Sequence, residues 1–191
     1  MLLSEKIRKN VDGKFKLMLD LGCRINNFKD FYYLSDCLNE LNFSFIEEPF
    51  KRSIENYQKI HKNSKLNISF GESLTGKQDF INWSKYIDIL QPDTNMITIT
   101  ELLNLRKIFK KLNKIIIFHN WANPISMLSN FHLSSIFNCN LIEYNITDNP
   151  AINYFLKERF RIKNGYISIN NKKGIGANIN NKFLNKYSKK I

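Results

Sequence analysis

The chain has 191 residues, 43% of them hydrophobic and 13% aromatic, which suits a packed globular domain and excludes a disordered one. Its formal net charge is +12, yet Arg106, Lys107, Lys110, Lys111 and Lys114 are scattered over one helical stretch without interleaved aromatic residues, so the charge reads as a solvated face and no nucleic-acid partner is expected. Cys23, Cys37 and Cys139 are too few and too widely spaced for a disulfide framework or a cysteine zinc site, and no apolar run approaches the roughly 20 residues that span a bilayer; together with an N-terminus lacking an apolar export core, this predicts a cytoplasmic protein with reduced thiols and no membrane association.

In chain order, residues 4–11 predict the end of a helix, and Asp12-Gly13 a turn into a strand over 15–20. Phe31, Leu34, Leu38 and Leu41 recur at helical spacing over 28–41 and lead into a strand over 43–47. Helices over 54–61, 78–85, 98–112 and 124–138 are each followed by an apolar run, at 67–70, 87–90, 114–118 and 140–143. The stretch 98–112 is the most amphipathic, with Thr98 or Thr100 as its N-cap. Beyond Glu143 the pattern changes. Asn149-Pro150 reads as a break, 161–169 as an extended segment around Asn164-Gly165, Gly174-Ile175-Gly176 as a turn, and 181–188 as a last helix. No linker or low-complexity tract divides the chain, so one domain over 1–191 is expected.

The apolar runs lead to a ladder of polar side chains: Asp20, Glu47, Glu72, Asp93, His119 and Glu143, separated by steps of 27, 25, 21, 26 and 24 residues. Each step is the length of one strand and one returning helix, the crossover that parallel strands require, and strands buried on both faces read as continuous apolar runs. The pattern predicts an α/β fold, a partial (β/α) TIM-type barrel with its functional residues at the carboxyl ends of the strands. A complete barrel takes about 250 residues, and six units fit here, so the chain is expected to be truncated at its N-terminus.

Adjacent parallel strands lie ~4.8 Å apart, so Asp20, Glu47 and Glu72 on three successive strand ends can converge on one hard cation. An all-oxygen set of this kind suits Mg²⁺ with positions left open for substrate. On the next two strand ends, Asp93 can accept the Nδ1 proton of His119, fixing the tautomer of a general acid/base.

These residues, together with Phe45-Ile46-Glu47-Glu48-Pro49, Gly71-Glu72-Ser73, Asp88-Ile89-Leu90-Gln91-Pro92-Asp93, Phe118-His119, Asn164-Gly165-Tyr166-Ile167 and Gly174-Ile175-Gly176, resemble the C-terminal barrel domain of the enolase superfamily, in the mandelate racemase subgroup of the mandelate racemase and muconate lactonizing enzyme family. The resemblance implies Asp20, Glu47 and Glu72 as Mg²⁺ ligands and His119 with Asp93 as the acid/base dyad. It implies Glu143 as a hydrogen-bonding electrophilic group near a substrate carboxylate, and Glu48 as a supporting residue. Glu72 as third acid, and the absence of a lysine from Gln91-Pro92-Asp93-Thr94-Asn95, point within the family to sugar-acid dehydratases. The activity implied is removal of the proton α to a carboxylate, an enediolate intermediate and loss of water. The alternatives are a racemase or epimerase of a hydroxy acid, and an inactive barrel remnant or interaction protein completed by a second copy or another polypeptide. The family's N-terminal α+β cap and Lys-x-Lys strand have no counterpart here, so the sequence corresponds to about strands 3 to 8 of the family barrel and is expected to be a fragment of the full enzyme.

Overall fold

Parallel strands joined by helices account for most of the chain. The computed structural model describes residues 2–121, 123–158 and 160–188, so residues 1, 122, 159 and 189–191 of the expected domain lie outside it. The first nine elements are α1 (Leu2–Asn10), β1 (Leu17–Asp20), α2 (Phe28–Glu40), β2 (Phe43–Glu47), α3 (Ile54–Asn63), β3 (Asn67–Phe70), α4 (Lys77–Trp83), β4 (Ile89–Leu90) and α5 (Ile99–Lys111). They are followed by β5 (Ile115–Ile116), α6 (Pro124–Phe137), α7 (Pro150–Tyr154), the strands β6 (Ile162–Lys163) and β7 (Tyr166–Ile167), and α8 (Asn181–Tyr187). Strands β1 to β5 form one parallel sheet in sequence order. Thr98 caps α5, its side chain accepting from the Glu101 amide, as the serine/threonine preference at that position leads one to expect.

Alternation along the strands divides the core in two. Ile46, Ile68 and Leu90 face the helices and pack with Phe31, Leu38, Tyr57, Phe80, Leu102, Leu105 and Phe109 in the main cluster. Trp83 is a packing residue, its ring centroid 5.1 Å from Tyr57 and 4.6 Å from Phe70. Phe45, Ile89 and Ile117 form a separate buried cluster on the opposite face of the sheet. With a period of two, each lies one pleat before Glu47, Gln91 and His119 respectively. This apolar floor therefore underlies the strand-end polar residues.

Two expectations fail. The run at 140–143 was expected as a sixth strand, and it carries no ladder. The β5 ladder covers only Ile115–Ile116, and just past it the Asn120 side-chain amide donates to the carbonyls of Phe118 (3.2 Å) and Glu143 (3.0 Å), the groups a continuing ladder would engage. A side chain replaces strand pairing there. Asn149-Pro150, read as a break, instead begins α7. Asn149 Oδ1 accepts from the Ala151 amide at 2.9 Å, and Pro150 occupies the first helical turn, where its missing N–H costs nothing.

The tail is held by smaller devices. Asn164 and Gly165, with φ of 52° and 78°, turn the antiparallel pair β6–β7 as a two-residue hairpin requires. The Glu158 carboxylate accepts from the Asn178 backbone at 2.7 Å and from its side-chain amide at 3.0 Å. Met127, Leu128, Phe131, Ile152 and Leu156 form a second small core beneath this tail. No helix among the described residues is long and apolar enough to cross a membrane.

Candidate active site

Asp20 and Glu47 are direct partners in the β1–β2 register, and Glu47 in turn faces Ser69 of β3. Glu72 follows β3 after Gly71, whose φ is +144°. A Cβ at Gly71 would stand 2.9 Å from the Gln91 backbone nitrogen, so only glycine lets the chain pass β4 this closely and carry Glu72 over the strand end. Asp20 Oδ1 accepts from the Gly22 amide at 2.8 Å, which anchors it to its own loop.

The acids repel one another. Burial, then the charges of Asp20, Glu143 and Glu72, push the Glu47 carboxyl up to about 7, against a hydrogen bond from the Gln91 side chain. Burial and the Glu72 charge likewise push Glu48 up to about 7. Burial raises Glu72 too, opposed by His119 and reinforced by Asp20. None of the ion pairs among the described residues brings a lysine or arginine to Asp20, Glu47, Glu72 or Glu143. Oxygen donors carrying mutually repelling charge, offset only by His119 at Glu72, have the chemistry of a hard-cation site. Among the described residues, however, no three His, Cys, Asp or Glu side chains stand close enough together to hold a metal ion. Glu72 is turned toward His119 instead.

The histidine side is tightly bonded. His119 Nδ1 lies 2.8 Å from Asp93 Oδ2, and its Nε2 lies 3.2 Å from Glu72 Oε2. Asp93, 2% exposed, also accepts at Oδ1 from the Asn95 backbone (2.8 Å), the Asn95 side chain (2.7 Å) and the Asn130 side chain (3.3 Å). Burial works against the Asp93 charge, but these hydrogen bonds prevail and hold its pKa below the ordinary value. Burial also works against a charged His119, and is outweighed by the hydrogen bond to Asp93 and the charges of Glu143 and Glu72, which take the imidazole up to about 9. Glu143 is reached from the same loop: its Oε2 accepts from the Asn120 backbone at 2.9 Å.

The structure thus brings together Glu72, His119 and Asp93 directly, joins Glu143 to them through Asn120, and leaves Asp20 and Glu47 coupled to the group by charge. The amides of Gln91, Asn95, Asn120 and Asn130 escape a reading of the sequence. Asparagine is so frequent in this chain that the three among them carry no signal; only their positions beside Asp93 and His119 could have suggested them.

Residues 3–183 match the model of the family described as enolase C-terminal domain-like. The chain belongs to this family. Among relatives of this enolase C-terminal domain-like protein, the D-gluconate/D-galactonate dehydratase of Picrophilus torridus is 26% identical over 197 residues, covering 96% of this chain and 50% of that protein. The arabinonate dehydratase of Saccharolobus solfataricus is 23% identical over 185 residues, covering 95% and 49%. The structure of L-talarate dehydratase from Polaromonas sp. JS666, complexed with Mg and L-glucarate, superimposes with a TM-score of 0.84 at 18% identity, over 97% of this chain and 50% of that one. The curated relatives are acid-sugar dehydratases, and the chain spans about half their length. The structural likeness shows the fold, a five-stranded part of the family's barrel.

Proposed function

We propose that the chain carries acid/base machinery of a Mg²⁺-dependent, cytoplasmic sugar-acid dehydratase, acting as part of a larger catalytic unit. The observation that carries this reading is the His119 imidazole, held by Asp93 at one nitrogen and presented beside the strand-end carboxylates at the other. Asp20, Glu47 and Glu72 would hold the cation, whose positive charge would stabilise the negative charge that builds on a substrate carboxylate and weaken the carboxylates' grip on the His119 proton.

Asp93 keeps the Nδ1 proton and stabilises the imidazolium, so Nε2 is the atom that exchanges a proton with substrate. Nε2 takes the proton α to the carboxylate. The electron pair left behind expels the β-hydroxyl, and the imidazolium returns the proton to that leaving oxygen as water departs, giving an enol that tautomerises, losing the enol proton and gaining one at C3, to a 2-keto-3-deoxy acid. Glu143, anchored by Asn120, serves as hydrogen-bonding partner to the substrate carboxylate. One group that acts first as base and then as acid suffices for this reaction.

The test is to incubate the larger catalytic unit that contains this chain with Mg²⁺ and gluconate, galactonate or arabinonate in D₂O, following the α-proton by NMR and the 2-keto acid by colour reaction. Loss of the α-proton signal that disappears in His119→Asn is expected. Exchange that persists in His119→Asn, or none with any of these acids, overturns the proposal.

A further inference from the structure

We propose that Asn130, in the middle of α6, is the positioning residue that sets the loop carrying Asp93 against the loop carrying His119. The inference deepens the dyad reading above and rests on it. Asn130 is fully buried, and among the described residues its side chain bonds only to those two loops. Its Nδ2 donates to the His119 carbonyl at 2.8 Å and lies 3.2 Å from Asn120 Oδ1 and 3.3 Å from Asp93 Oδ1. Its Oδ1 accepts from the Thr94 backbone at 3.2 Å.

An amide has two N–H donors, and three acceptors surround this one. An aliphatic side chain would fill the same space without the desolvation cost of an amide, so the polarity of Asn130 has to be accounted for by what it joins. Asp93 does not depend on it, since Asn95 alone supplies two shorter bonds to the same oxygen. What Asn130 alone provides is a bridge from Thr94, one residue past Asp93, to the backbone of His119 and the side chain of Asn120. Because Asn120 fixes Glu143, one buried amide sets the mutual placement of all three predicted catalytic residues. Without it, the loops stay joined by the His119 amide's bond to the Pro92 carbonyl (3.2 Å) and by the Asn123 side chain's bond to Asn95 Oδ1 (3.1 Å), but no buried side chain then ties Thr94 to the His119 carbonyl and the spacing between imidazole and carboxylate is held less tightly.

The test reads the Asp93–His119 bond directly and requires no substrate. In the ¹⁵N-labelled chain, the His119 Nδ1–H held at 2.8 Å is expected as a downfield, slowly exchanging imidazole resonance. Asn130→Ala is expected to lose it or broaden it beyond detection. Asn130→Asp, which keeps an acceptor for Thr94 and loses both donors, is expected to lose it as well, and reports in place of the alanine variant if that one fails to fold. Leu133→Ala, a buried truncation on the same helix, is the control: it should lower Tm and keep the resonance. A resonance retained in both Asn130 variants, lost equally in Leu133→Ala, or absent from the unaltered chain overturns the proposal. The dehydratase reading has a separate test, since α-proton exchange can fail while this resonance is present.

Discussion

At the ends of β4 and β5, Asp93 accepts hydrogen bonds from His119, Asn95 and Asn130 and is held below its ordinary pKa. At the ends of β1, β2 and β3, by contrast, Glu47 and Glu72 are held above theirs by burial and mutual repulsion, and among the described ion pairs no lysine or arginine comes to them, only His119 to Glu72. Both flanks are rich in charge on one apolar floor. One is finished by hydrogen bonds made within the chain, while the other leaves charge for something else to balance. Pre-organisation is concentrated on the side proposed to transfer the proton, where small errors of placement cost most.

The sharpest way to break this contrast is to remove the imidazole. His119→Asn is expected to slow α-proton exchange by about 10²- to 10⁴-fold, the ordinary worth of a positioned acid/base; a smaller loss in the D₂O experiment would move the proton transfer to another group. Next comes Asp93→Asn, which replaces an acceptor at Nδ1 with an amide and should lower kcat by up to about 10⁴-fold, the cost of losing the carboxylate that holds an acid/base histidine in its working tautomer. On the opposite flank, Glu47→Gln should weaken Mg²⁺ binding by at least about tenfold in calorimetry while raising Tm at pH 8 without Mg²⁺, because it removes a buried, repelled charge. Unchanged affinity would exclude Glu47 as a ligand.

The smallest effect is the pH dependence of stability. Glu47 rises from 4.5 to about 7 and His119 from 6.5 to about 9, and both shifts are upward. The stability each contributes is therefore present in full below its unfolded value and lost as pH rises through its folded value, so Tm without Mg²⁺ should fall by a few degrees between pH 5 and 9. Mg²⁺ should reverse part of that fall at the alkaline end. A Tm that rises over this range would contradict the picture of an uncompensated acid flank.

The five-stranded sheet was legible because its signal is physical and repeated. Runs such as those ending at Glu47 and Phe70 are buried on both faces, and Phe31, Leu38, Leu102 and Leu105 keep helical period against them. The pairing of Asp93 with His119 was legible from strand adjacency alone. Leu141-Ile142-Glu143 misled because an apolar run looks the same whether it finds a ladder or, as here, is tied by Asn120. Asn149-Pro150 misled because a break and a helix start share those residues. The amide network was not legible at all, since a buried Asn130 and an exposed asparagine are identical in sequence.

At the helix ends, asparagine fills two kinds of post. Asn27, Asn123, Asn149 and Asn180 cap helix N-termini, and Asn42, Asn113 and Asn138 take left-handed backbone just beyond or at helix C-termini. Slow chemical ageing of asparagine to aspartate would therefore act with opposite sign at the two ends of a helix. At an N-cap aspartate serves equally well and its charge favours the dipole, whereas beyond a C-terminus the same new charge faces the helix's negative pole. Ageing at Asn42, Asn113 or Asn138 would therefore weaken the C-terminal ends of α2, α5 and α6, while ageing at the N-caps would leave the helices as stable as before.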